Sequence, residues 1–103
     1  MTIQQFVTNY LQVPVTLAGN KLIIEAIEIV LDTQDYDFYP KLSEISKKSP
    51  RQLEKPMRDA KNKSLEYINS TLKQQIFGST SPTVKSYVIL AAEYYRRLYE
   101  KQR

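Results

Sequence analysis

Y-P-K-L-S-E-I-S-K-K-S-P-R-Q-L-E-K-P-M-R-D-A-K, residues 39 to 61, reads as a helix, a tight turn and a second helix with one basic face. Leu42 and Ile45 give the first helix an inward side. Lys47, Lys48 and Ser49 make the turn. Ser49 stands at an N-cap position, and Pro50 follows at the first helical position, where its missing N–H costs nothing. In the second helix Leu53, Met57, Ala60 and Ser64 fall on one stripe at helical spacing. Arg51, Lys55, Arg58 and Asn62 fall on another. One stripe can pack while the other carries positive charge outward, the arrangement that lets a helix-turn-helix place its second helix in the DNA major groove. The expected unit spans about residues 37–63. Pro56 is its irregularity: in mid-helix it removes a backbone bond and collides with the Gln52 carbonyl, at about 3 kcal/mol. The helix is expected to kink there or to be short.

Outward from this unit the chain reads as helices. Before it, Thr2–Leu11 has Ile3, Phe6, Val7, Tyr10 and Leu11 at helical spacing, with Thr2 as N-cap, and Val13-Pro14 ends it. Asn20–Leu31 is apolar on most sides, with Glu25, Glu28 and Asp32 as a narrow polar stripe, and is expected to be the central buried helix. Asp35 or Asp37 is expected to cap the helix that holds Leu42, with Phe38 inward. After the unit, Ser70–Phe77 reads as a short helix stopped by Gly78 in a left-handed cap. Ser81 and Pro82 are expected to start the last helix, whose stripe is Val84, Tyr87, Val88, Ala91, Tyr94, Tyr95 and Leu98. The expected fold is all-α, with five or six helices around Asn20–Leu31 in a single domain.

Composition narrows the function. A chain of 103 residues without Cys or His lacks disulfides, thiolate sites, the commonest zinc ligand and the usual general base. Asp32, Asp35 and Asp37 do not make a calcium loop: no glycine lies between, and the twelfth position from Asp32 is Ser43. Glu25 and Glu28 read as solubilising charges. No enzyme activity, metal or cofactor is expected. The N-terminus has no signal-peptide character, and acidic residues interrupt the apolar runs, so a cytoplasmic protein without a membrane span is expected. The net charge is +4. Residues 22–40 carry acids and no Lys or Arg, whereas residues 41–63 concentrate the basic residues, the footprint of a polyanion site.

The order of segments resembles the C-terminal DNA-binding effector domains of the sporulation master response regulator, stage zero sporulation protein A. The matching pieces are V-P-V-T-L-A-G-N-K-L-I-I-E-A-I (Val13–Ile27), F-Y-P-K-L-S-E-I (Phe38–Ile45), L-E-K-P-M-R-D-A (Leu53–Ala60) and I-F-G (Ile76–Gly78). They keep the family's order and cover nearly the whole chain. The resemblance implies a helix-turn-helix whose second helix reads double-stranded DNA, with base contacts at the positions of Gln52, Lys55 and Arg58. Pro56 replaces a small helix-former of the family, and the loop after Gly78 is shorter. With no room for a receiver domain, the expectation is a free-standing effector, the kind of small regulator a phage or another mobile element carries.

Lys47, Lys48, Ser49 and Arg51 are expected to meet phosphate. Tyr99, near Arg96, Arg97 and Arg103, is read as a surface for a homodimer or another partner. The rival reading, motivated by Pro56, is a protein-interaction module that keeps the fold and inhibits or sequesters a host protein.

Overall fold

The computed structural model describes residues 1–101, with side chains through residue 99, so the Lys101 side chain and Arg103 lie outside what is described. The fold is all-α. The helices are α1 (Ile3–Gln5), running directly into a π-helical turn (Phe6–Tyr10), then α2 (Ala18–Thr33), α3 (Tyr39–Ser46), α4 (Pro50–Tyr67), α5 (Ser70–Phe77) and α6 (Val84–Lys101). No strand occurs among the described residues.

The central helix is where the apolar run places it. α2 packs against α1, the π-helical turn, α3, α4 and α6, while α5 packs against α6. Leu22, Ile23, Ala26, Ile27, Ile29 and Val30 are buried along it. It runs from Ala18 to Thr33, longer at both ends than expected; Asn20 is buried within it, and its amide donates to the Val13 carbonyl at 3.0 Å. A buried amide needs such a partner, and this one holds the loop after Pro14 against the helix.

Other local expectations meet different solutions. Thr2 caps α1 in a reciprocal box with Gln5. The helix then widens: the Leu11 N–H reaches back to the Phe6 carbonyl at 3.0 Å, a five-residue step. Phe6 and Val7 in this wider turn, and Leu11 and Val13 just after it, are all fully buried. Neither Asp35 nor Asp37 caps α3; Asp35 Oδ1 accepts from the Asp37 N–H at 2.9 Å and folds the loop on itself. Ile45 is not inward but 52% exposed, because Phe38 and Leu42 already fill the space between α3 and the core. Ser81 does not cap α6. The Thr83 hydroxyl accepts from the Ser86 N–H at 3.2 Å, and Pro82 is buried ahead of the helix. Gly78 has the expected positive φ of 68°, but its ψ of −154° lies outside the left-handed helical region, in a part of backbone space essentially reserved for glycine.

Pro56 neither ends nor shortens α4, which runs on to Tyr67. The helix is anchored on both sides of it by buried Leu53, Met57, Ala60 and Ser64. Burying such a stripe offsets the lost backbone bond. Opposite Pro56 stands Gly19. A Cβ there would lie 2.1 Å from the Pro56 carbonyl oxygen and 2.6 Å from the Ala60 Cβ. The two backbones therefore meet where only glycine fits.

A second fixed point is polar. The Ser64 hydroxyl, fully buried, donates to the Leu11 carbonyl at 2.6 Å and accepts from the Tyr87 hydroxyl at 2.5 Å. This chain links α6, α4 and the end of the first helical segment. Burial pushes the Tyr87 phenol far above its ordinary range, so it stays a neutral donor.

Gly19→Ala should lower stability by about 1–3 kcal/mol, the usual range for overpacking, because the obstructing atoms include backbone. Urea unfolding checks this; an unchanged midpoint would show that α2 and α4 do not approach so closely.

Candidate nucleic-acid interface

The outer side of α4 begins at a pinned turn. Lys47 ends α3 with a left-handed backbone, φ 60° and ψ 32°. The Lys48 N–H donates to the Ser43 carbonyl at 3.3 Å, and the Ser43 hydroxyl donates to the Lys48 carbonyl. Ser49 then caps α4 as its sequence position predicts. Its hydroxyl accepts from the Gln52 N–H at 3.3 Å, and Gln52 Oε1 accepts from the Ser49 N–H at 2.9 Å. This is a reciprocal capping box. Pro50 occupies the first helical position.

The box changes what two of the sequence-derived site residues can do. The Ser49 hydroxyl and Gln52 Oε1 are both used within the chain. Pairing of Gln52 with adenine through both amide atoms requires its Oε1 as well as its NH₂. That contact is open only if the box opens. With the box closed, the Gln52 NH₂ and the cations Lys47, Lys48 and Arg51 remain exposed to a ligand.

Farther along, Lys55 and Arg58 project from the exposed side, with side chains 77% and 49% accessible. Each has an acidic partner one turn away. Lys55 Nζ lies 3.0 Å from Asp59 Oδ2, and Arg58 Nη1 lies 3.4 Å from Glu54 Oε1. Exposed pairs of this kind contribute at most about 1 kcal/mol and exchange readily for another anion. The structure thus brings Gln52, Lys55 and Arg58 onto one exposed side, with the turn cations at its start. Sequence reasoning named these residues but not their partners, although the i, i+4 spacing of Glu54 with Arg58 and of Lys55 with Asp59 was there to be read.

The two flanks of α4 differ. Toward α6 lies an open groove of about 560 Å³, lined by Tyr39, Pro50, Glu54, Arg58, Lys61, Thr83, Val84 and Lys85. Burial, and then the Glu54 charge, pushes the Tyr39 phenol up, so it too is a neutral donor at physiological pH. Toward the start of α2, Lys55, Pro56 and Asp59 face Leu17, Ala18 and Gly19 across a smaller recess.

Of the residues read as a partner surface, Arg97 faces away from Tyr99. Arg96 is half-buried, paired to Glu93 at 3.4 Å, and Glu93 in turn accepts from the Tyr36 hydroxyl at 2.7 Å. Arg97 lies over the Tyr94 ring at 5.8 Å. Tyr99 is exposed. At about 100° of rotation per residue, Arg97 and Tyr99 point roughly 160° apart.

Among the described residues no group of three His, Cys, Asp or Glu side chains stands where it could hold a metal ion. No helix among them is long and apolar enough to cross a membrane. Comparison with known protein families and with curated proteins finds no match to this chain.

Ser49→Ala should cost about 1 kcal/mol of stability and Ser49→Gly only a few tenths, since glycine tolerates a cap position better than alanine. No loss in Ser49→Ala, measured by thermal unfolding, would show that the box contributes nothing.

Proposed function

We propose that the chain is a sequence-specific, double-stranded DNA-binding transcriptional regulator. In this reading α3, the three residues Lys47–Ser49 and α4 act as a helix-turn-helix, with α4 in the major groove. One observation carries it. The side of α4 opposite its buried stripe is exposed and basic, and it starts at a capped helix terminus flanked by Lys47, Lys48 and Arg51. The four ordered sequence matches to the sporulation-regulator effector domains favour the same reading.

The exposed geometry supports these roles. Arg58 and Lys55 exchange Glu54 and Asp59 for base edges or phosphates. Arg51, Lys47 and Lys48 meet phosphate near the start of α4, where the helix dipole also favours an anion. Gln52 keeps its place in the box and offers only its NH₂. It therefore contributes a single donor, not the paired adenine contact a free glutamine amide can make.

Affinity for a random duplex should fall steeply with salt, with a log–log slope of about −0.9 per phosphate contact. Absence of binding at low salt would sink the proposal. Arg58→Ala should relax specificity at one base position by about 1–3 kcal/mol. Uniform weakening on all sequences would make Arg58 a phosphate contact instead.

The acidic partners on the reading side favour a second reading. Glu54 and Asp59 lower its positive potential, as befits a surface that docks a protein through matched charges. A host protein captured in stoichiometric amount by the purified chain, with no DNA bound at low salt, would establish that alternative.

A further inference from the structure

The groove between α4 and α6 is built by a specific contact. Lys61, on the flank of α4, donates from Nζ to the Pro82 carbonyl at 2.9 Å. That bond ties the turn before α6 to the side of α4 and brings Thr83 and Lys85 to the groove's far wall. An ammonium has three donors, so two on Lys61 remain for a ligand. Among the described residues no carboxylate stands within ion-pair distance of Lys61 or Lys85. Arg58 stands at the border, on both the reading side of α4 and the groove. The groove's one acid, Glu54, is the exchangeable partner of Arg58.

The other flank has the opposite character. There the cation Lys55 is bonded to Asp59, and the neighbours across the recess are Leu17, Ala18 and Gly19. A helix lying in the major groove has a phosphate backbone on each side, and contacts to those backbones fix its register and tilt.

We infer that the groove between α4 and α6 is a phosphodiester-binding site in which Lys61 and Lys85, from opposite walls, hold one DNA strand beside Arg58. The inference rests on the DNA-binding reading above and extends the interface to α6, outside the helix-turn-helix. It also gives the docking a direction. α4 leans its Arg58 flank onto a backbone strand and keeps its Asp59 flank away from the other. An open groove with cations on two separate helices suits an extended strand better than a single small anion.

The test compares the full chain with Lys85→Ala and Lys63→Ala, titrating a random-sequence duplex between about 50 and 200 mM KCl. Lys85 is exposed on a helix, where alanine is a strong former, so the fold should survive; circular dichroism checks this. Lys63 has the same charge but is turned about 160° round α4 from Lys61, outside the groove lining, and is paired with Glu66. Lys85→Ala should reduce the magnitude of the salt slope by about 0.9 and weaken binding about eightfold at 0.1 M salt, equally on every sequence. Lys63→Ala should retain the parent slope. A parent slope in Lys85→Ala, with the unaltered chain binding well, overturns the groove and leaves the α4 reading standing. An equal loss in Lys63→Ala reduces the effect to net charge and also overturns it. No binding by the unaltered chain removes the DNA reading and the groove together.

Discussion

The approach of α2 to α4 at Gly19 sets the geometry on which the rest of the structure depends. Because no Cβ intervenes, the backbone of α2 meets the Pro56 carbonyl and Ala60 directly. That contact holds the middle of α4 in one place, and the stripe of Leu53, Met57, Ala60 and Ser64 then settles its rotation. The exposed side follows as a consequence. Arg51, Lys55 and Arg58 point outward because the opposite stripe has no other way to be buried. Pro56, an irregularity in sequence terms, stands at the contact itself.

The buried bond from Tyr87 through Ser64 to the Leu11 carbonyl complements this contact. It joins three segments far apart in the chain through groups that would each be costly to leave unpaired. Apolar packing tolerates small slips, whereas a hydrogen-bonded chain does not. Lys61 acts similarly at the surface by bonding the carbonyl before α6. The position of α6 against α4 is thus fixed at two points, one inside and one at the rim.

Much of this was legible in residue order. The Ser49-Pro50 cap, the two stripes of α4, the bounds of α5 and the central place of α2 rest on local chemistry that one segment carries alone. The failures share a cause. Ile45 looked inward by periodicity, but Phe38 and Leu42 took the space. Asp35 and Asp37 looked like caps, yet Asp35 found a nearer backbone donor in its own loop. Ser81 lost to Thr83 because Pro82 was drawn into the core. At the candidate site the positions of Gln52, Lys55 and Arg58 were readable, but not their competing bonds to Ser49, Asp59 and Glu54. The groove with Lys85 joins residues distant in sequence, and no periodicity within one helix signals it.

Among the described residues, three that are not glycine, Gln12, Gln34 and Lys47, hold left-handed backbones at the ends of helical segments. Glycine would adopt this conformation without steric cost, but it would also leave the unfolded chain freer. At Lys47 the consequence concerns kinetics. The turn between α3 and α4 is held by the bonds of Lys47 and Lys48 to Ser43. Any partner therefore meets a finished surface and pays little ordering entropy on arrival. Encounter becomes a rigid-body event whose rate is governed by the long-range field of the basic residues and falls as salt screens it.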